Sequence, residues 1–308
     1  MNTRSKWSTD EMDINDWVKR TDLSSPITGL AVLLVGRDGV LPTKAIGSGV
    51  FVADRLIMTV KHVVQGYWDI YGNPNVVLER QGKKIADFGM LAVQAPGTSA
   101  ETALWEVRKL SLCPYSDLAL ISVEPVDDLA KAQHPLRAPT LSILPPAKDD
   151  KIAAFGYAST SVIAEDGEQI KFGLNPSTSI GVVTEVYPEL RDRALLSFPS
   201  FQIKTHFIGG MSGGPIFNEA GELCGLICSG YDVDPDDDPI AYGVVLWPMT
   251  GIRINHNIPS VISPPPYTVL ELARAGLMNV KGWEYVETNV EPFEEADEKK
   301  RIRLKTPC

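Results

Sequence analysis

The chain has 308 residues, with ordinary hydrophobic (44%) and charged (22%) fractions and a formal net charge of −10. That length leaves room for one large domain or two modest ones around a sizeable core. The acidic balance argues against a nucleic-acid-binding or membrane-surface protein, because both partners would be repelled. The first residues, MNTRSKWSTDEMDINDW, lack the apolar stretch of a secretory signal. No apolar run approaches the roughly 20 residues that a bilayer-spanning helix needs. A cytoplasmic location is the resulting expectation.

Residues 1–26 form a polar N-terminal extension, with a short helix predicted over 10–19. From residue 27 the chain turns to short apolar runs at 29–35, 47–52, 56–59, 76–80, 88–93, 103–107 and 118–123. They are rich in β-branched residues and separated by Gly, Asp and Asn, which predicts strands. We place a first β unit at 27–135 and a linker at 136–150, where Pro and polar residues cluster (APT, LPPAKDD). A second β set fills 151–250, with strands over 152–157, 180–186, 194–198, 215–218, 223–228 and 241–246. Two sets of about six strands predict an all-β protein of two packed barrels. The C-terminal extension, 251–308, carries one predicted helix (267–278) and a charged tail.

Four cysteines are present: Cys113, Cys224, Cys228 and Cys308. Cys224 and Cys228 share one predicted strand, and four extended residues span roughly 13 Å, too far for a disulfide. No CxxC spacing is present, so neither a metal nor a cofactor is expected.

The strongest local signal is Gly209-Gly210-Met211-Ser212-Gly213-Gly214-Pro215. Glycines on both sides of a serine permit a tight turn. Such a turn aims the amides of Gly210 and Ser212 at one point, beside a nucleophilic hydroxyl, as an oxyanion hole requires. Serine needs a base to take its proton. Of the four histidines, His134 lies in the linker region, His256 has no helpful surroundings, and His206 is close enough to Ser212 to line the same pocket. His62 ends the pattern GSGVFVADRLIMTVKHVV, where a strand, a turn and a second strand lead to Thr59-Val60-Lys61-His62. That is a rigid mount for a base at a strand end. The carboxylate that orients the ring is expected at Asp117, which heads the apolar strand of Tyr115-Ser116-Asp117-Leu118-Ala119-Leu120-Ile121. A charge there needs a partner. Asp69 and Asp87 are rivals that head no such strand.

In this order, TVKHVV, SDLALISV and GGMSGGP resemble the trypsin-like (chymotrypsin-fold) serine proteases, nearest to bacterial Deg/HtrA-like protease domains. GELCGLICSGY is similar to the strand along which substrate pairs, and AYGVVLWP to the last strand of the second barrel; the likeness spans roughly residues 27–250. The resemblance implies two six-stranded antiparallel β-barrels packed perpendicularly, with the active site between them. It implies peptide-bond hydrolysis through an acyl-enzyme, with His62, Asp117 and Ser212 as triad and protein or peptide substrates. Ser229, Gly230 and Tyr231 would border the primary specificity pocket, and Thr205, His206 and Gly209 its opposite wall.

Met211 departs from the digestive branch, where an aspartate before the serine pairs with a newly cut N-terminus. Activation by that route is not expected, and ordering of the site by a regulatory protein partner takes its place. The acidic segment 232–238 (DVDPDDD) is read as a solvated loop that attracts basic substrates, with calcium as an alternative occupant. The 58 residues of 251–308 are too few for the PDZ module usual in Deg/HtrA-like proteases. The competing reading is a protease fold kept as a catalytically silent binding module.

Overall fold

The computed structural model describes residues 31–288, apart from 39–40, 72–78, 81–82, 85–88, 96–101, 134–137, 166–168, 232–237, 256–257, 259–260 and 262–263, together with 302–304. The N-terminal helix expected over 10–19, nearly all of the acidic loop and most of the charged tail lie outside these residues.

The first barrel is built from β1 (Ala31–Asp38), β2 (Leu41–Ala53), β3 (Leu56–Val60), β4 (Met90–Gln94), β5 (Ala103–Leu112) and β6 (Leu118–Pro125). It closes in the order β1-β2-β3-β6-β5-β4 and back to β1. The alternation on β5 shows why the sequence does this. Ala103, Trp105 and Val107 are buried, while Leu104, Glu106 and Arg108 are partly exposed, the two-residue period of a half-buried strand. A bulge between Val107 and Lys109 restores Leu110 to the inside. Phe51 and Trp105 meet edge to face inside the barrel, with ring centroids 5.1 Å apart. The Trp105 indole N–H donates to Gln94 Oε1 at 3.0 Å, so no polar group is stranded there.

The second barrel contains β7 (Lys151–Tyr157), β8 (Pro176–Tyr187), β9 (Ser200–Lys204), β10 (Pro215–Asn218), β11 (Leu223–Tyr231) and β12 (Ile240–Val245). Its order is β10-β7-β8-β9-β12-β11, closed by pairing of β10 with β11. Ile152, Ala154, Val183, Phe201, Ile203, Ile216 and Ile227 fill it. Both barrels are antiparallel and six-stranded, the chymotrypsin-like arrangement expected from the motifs.

One apolar cluster joins the barrels. Leu33, Val50, Met58 and Leu120 of the first share it with Phe155, Tyr157, Phe217 and Leu246 of the second. The C-terminal segment packs on the same cluster through Ile254, Tyr267, Val269 and Leu272. Its helix, Val269–Arg274, is shorter than the 267–278 predicted. Tyr267–Thr268 instead pairs with Arg253–Ile254, Thr268 and Glu271 form a capping box, and Gly276 at φ +72° follows the last turn.

Four buried groups, Cys113, Tyr157, Cys224 and Cys228, give the fold a pH signature, because burial pushes each of them up. Burial pushes the Cys113 thiol from 9.0 to about 11 and the Tyr157 phenol from 10.0 to about 12. Above pH 9 the unfolded chain therefore releases protons that the folded chain still holds, so stability is full below that point and falls as pH rises towards about 12. Each group contributes a slope of about 1.4 kcal/mol per pH unit within its window. Thermal melting followed by circular dichroism should give a level Tm from pH 7 to about 8.5 and a decline beyond it. A level Tm to pH 11 would mean these groups are not buried.

Candidate active site

β3 and β6 are antiparallel neighbours in a register that sets Val60 opposite Leu118. The next residue on one strand and the preceding one on the other therefore face each other, and Lys61 N–H donates to the Asp117 carbonyl at 3.1 Å. Here the chain departs from expectation. His62 does not end a strand; it is the second residue of α1 (Lys61–Tyr71), which starts directly after β3. The reason is Asp117. Its Oδ1 accepts the backbone N–H of His62 at 2.9 Å and so satisfies a helix-start donor.

The other oxygen, Oδ2, lies 2.6 Å from His62 Nδ1. The carboxylate thus holds both the backbone and the ring of one residue. With Nδ1–H as donor, a neutral ring has Nε2 as its acceptor. The Asp117 side chain is 8% exposed and that of His62 is 48% exposed, so the carboxylate is buried and the ring reaches solvent.

A third group joins them. Cys228, on β11, places Sγ 3.5 Å from Asp117 Oδ2. Burial, reinforced by the negative charge of Asp117, pushes this thiol well above its ordinary range. It remains a thiol and donates to the carboxylate. The carbonyl of the same residue accepts the Ser212 hydroxyl at 3.4 Å. Cys228 therefore bridges Asp117 and Ser212. Among the described contacts the Ser212 hydroxyl has this bond and none to the His62 ring.

Ser212 sits in the turn before β10. Gly210 at φ +99° and Gly213 at φ +85° supply its two left-handed positions. The turn is pinned by Met211 N–H to the Ile208 carbonyl (3.1 Å), Gly214 N–H to the Met211 carbonyl (2.9 Å) and Gly213 N–H to the Ile227 carbonyl (2.8 Å). Met211 is fully buried and its Sδ accepts the Ile208 N–H at 3.5 Å. Apolar packing thus holds the position where an ion pair was not expected.

Sequence reasoning missed Ser48, which is fully buried on β2. Its N–H donates to the Ser212 carbonyl (2.8 Å) and its hydroxyl to the Gly210 carbonyl (2.9 Å). Its Oγ accepts Tyr157 N–H at 2.9 Å, and its carbonyl accepts the Thr59 hydroxyl at 2.7 Å. The only signal was its place in GSGVF, between two glycines. Ser48→Ala leaves the Gly210 carbonyl and the Tyr157 amide without their side-chain partner. It should destabilise the protein by about 1–3 kcal/mol, read as a lower urea midpoint; an unchanged midpoint would contradict these bonds.

The expected pocket residues lie on two facing segments. The Thr205 hydroxyl bonds the Ile180 carbonyl at 3.0 Å, and the Gly209 carbonyl accepts Ser159 N–H at 3.1 Å. His206 is exposed, and its carbonyl accepts the Ser179 hydroxyl at 2.7 Å. Ser229, Gly230 and Tyr231 pair with β12 at Tyr242, Ala241 and Ile240. Phe207, within the 205–209 segment, brings its backbone close to the other one: a Cβ on Gly230 would lie 3.1 Å from the Phe207 carbonyl oxygen.

The model of the trypsin-like peptidase domain matches residues 47–226. The chain belongs to the trypsin-like peptidase family. The matched span takes in His62, Asp117, Ser212 and the first part of β11. No curated protein sequence is significantly similar to it. Among solved structures, the chain is similar to the HtrA-type protease AlgW with decapeptide, at 14% identity and TM-score 0.49, covering 91% of this chain and 73% of that one. It is also similar to the active form of the Rv3671c protease from M. tuberculosis, at 16% identity and TM-score 0.46, covering 75% and 79%. A serine endoprotease from Yersinia pestis is 17% identical with TM-score 0.44; the alignment covers 76% of this trypsin-like chain but 62% of that protein. Among the described residues, no helix is long and apolar enough to cross a membrane.

Proposed function

We propose that this trypsin-like protein is a serine endopeptidase. The observation that carries the reading is the linked set His62–Asp117–Cys228–Ser212, in which one buried carboxylate holds the imidazole and one residue bridges that carboxylate to the serine. Ser212 Oγ attacks the substrate carbonyl carbon while His62 Nε2 takes its proton. The amides of Gly210 and Ser212 hold the resulting oxyanion. The imidazolium then protonates the leaving amine, and an acyl-enzyme ester remains. Water, deprotonated by the same ring, releases the acid and restores the hydroxyl. Asp117 stabilises the imidazolium without itself being protonated.

Substrate binding by strand addition fits β11. Its 229–231 stretch pairs with β12 on one side, while β10 reaches only to Leu226 on the other. Thr205, His206 and Gly209 face Ser229 and Gly230 as walls of a specificity pocket.

A latent resting state is a second reading with observations of its own. The serine hydroxyl is turned to the Cys228 carbonyl, and Phe207 lies against Gly230. Rotation about the serine Cα–Cβ bond would complete the site, and a substrate or regulatory partner that favours that form would drive the change.

Digestion of a denatured protein mixture, read by mass spectrometry, tests the proposal. New peptide termini with the wild type and none with Ser212→Ala support it. Identical termini from both would assign the cleavage to another agent.

A further inference from the structure

We propose that His62, Asp117 and Cys228 form a zinc-binding site through which the metal reversibly silences the catalytic centre. The inference rests on the triad reading above for its consequence, but not for the site itself.

Imidazole nitrogen, carboxylate oxygen and sulfur here lie within 4.8 Å of one another. Zinc takes these three donor types at about 2.0–2.3 Å in a tetrahedron, which sets donor separations of about 3.4–3.6 Å. The Asp117 Oδ2 to Cys228 Sγ separation is already 3.5 Å. The Nδ1 to Oδ2 separation is 2.6 Å, so the ring must swing by roughly 0.8 Å to admit the ion between them. His62 is the half-exposed member and gives the ion its entry from solvent. Three protein ligands leave a fourth position for water or for the Ser212 hydroxyl. A thiolate among the donors favours zinc over the hard cations calcium and magnesium.

The proton balance explains the silencing. Zinc displaces the thiol proton of Cys228, which passes to water, and the proton on His62 Nδ1, which the ring regains at Nε2. One proton leaves per ion, and nothing is oxidised or reduced. With zinc on Nδ1 and hydrogen on Nε2, the ring has no lone pair for the serine proton. The same ion breaks the ring's bond to Asp117. Removing the metal restores both.

Titration of the full-length, metal-free protein with Co²⁺ reads the site directly, through the thiolate-to-cobalt charge-transfer band. One equivalent should bind. The band should vanish in Cys228→Ser, which nearly preserves side-chain volume, and in His62→Ala, and should persist in Ser212→Ala and Cys308→Ser. With free zinc at about ten times its Kd, labelling of the wild type by a fluorophosphonate should slow about tenfold and recover on adding EDTA. In Cys228→Ser the rates with and without zinc should agree within about twofold. A band that survives Cys228→Ser, or no band in the wild type, overturns the site. A normal band with no effect of zinc on labelling overturns the silencing. If the metal-free wild type does not label at all, the resting site is latent or inactive, and the cobalt titration still decides the metal site.

Discussion

Asp117→Asn should lower the second-order rate of active-site labelling by about 10⁴ while leaving the protein folded. Both oxygens of Asp117 accept hydrogen, one from the His62 backbone and one from its ring. An asparagine offers a single acceptor. If its oxygen stays with the backbone N–H, its NH₂ faces the ring, Nδ1 becomes the acceptor and the hydrogen moves to Nε2. The base then points a proton at the serine. The side chain keeps its volume and the helix keeps its cap, so Tm should move by only a few degrees. Loss of labelling together with loss of structure would instead make Asp117 mainly a scaffold residue. Undiminished labelling would remove it from the mechanism.

Gly213→Ala should destabilise the protein by about 2–5 kcal/mol. A Cβ at Gly213 would stand 2.1 Å from the Thr59 hydroxyl oxygen and 2.2 Å from the Ser48 carbonyl oxygen. Those two atoms are themselves hydrogen-bonded at 2.7 Å, so neither yields without breaking that bond. The backbone is at φ +85°, which costs an alanine about 1–2 kcal/mol, and the overpacking adds about 1–3 kcal/mol. Gly209→Ala is the contrast, since nothing lies within 4 Å of the added methyl and a change within about 0.5 kcal/mol is expected. Urea midpoints of the two variants test the pair. Equal midpoints would mean that the turn is not tied to β2 and β3 as described.

What the sequence revealed and what it hid divide along local and long-range physics. Most barrel strands were legible because their signal is local: alternation on β5 and β-branched, buried runs such as LIMTV on β3. β9 was not: the run expected over 194–198 forms bends, and the strand is Ser200–Lys204, placed by pairing with β8 and β12. Helix α1 was not. Its residues, KHVVQGYWDIY, are rich in the β-branched and aromatic types that favour strands. What caps it is Asp117, 55 residues away. Tertiary context overrode propensity there, and it placed His62 in a first helical turn. Helix Val269–Arg274 was found but overextended, because the pairing of Tyr267–Thr268 with Arg253–Ile254 is not a local feature.

The candidate site shows the same division. His62, Asp117 and Ser212 could be singled out from their neighbours in sequence. The groups that link and support them could not. Cys228 reaches Asp117 across 111 positions and Ser48 reaches Gly210 across 162. Both contacts exist only where the two barrels meet, and a serine or cysteine inside an apolar strand carries no mark of such a partner.

The central claim is that Ser212 is a nucleophile activated by His62. The most direct measurement is treatment of the purified protein with a fluorophosphonate at neutral pH, followed by intact mass and peptide mapping. One adduct per chain is predicted, on Ser212, absent from Ser212→Ala and lost with His62→Ala. An adduct on another residue, or one that persists in Ser212→Ala, would contradict the account; a folded, metal-free wild type that gains none would contradict an assembled resting site and leave the latent form.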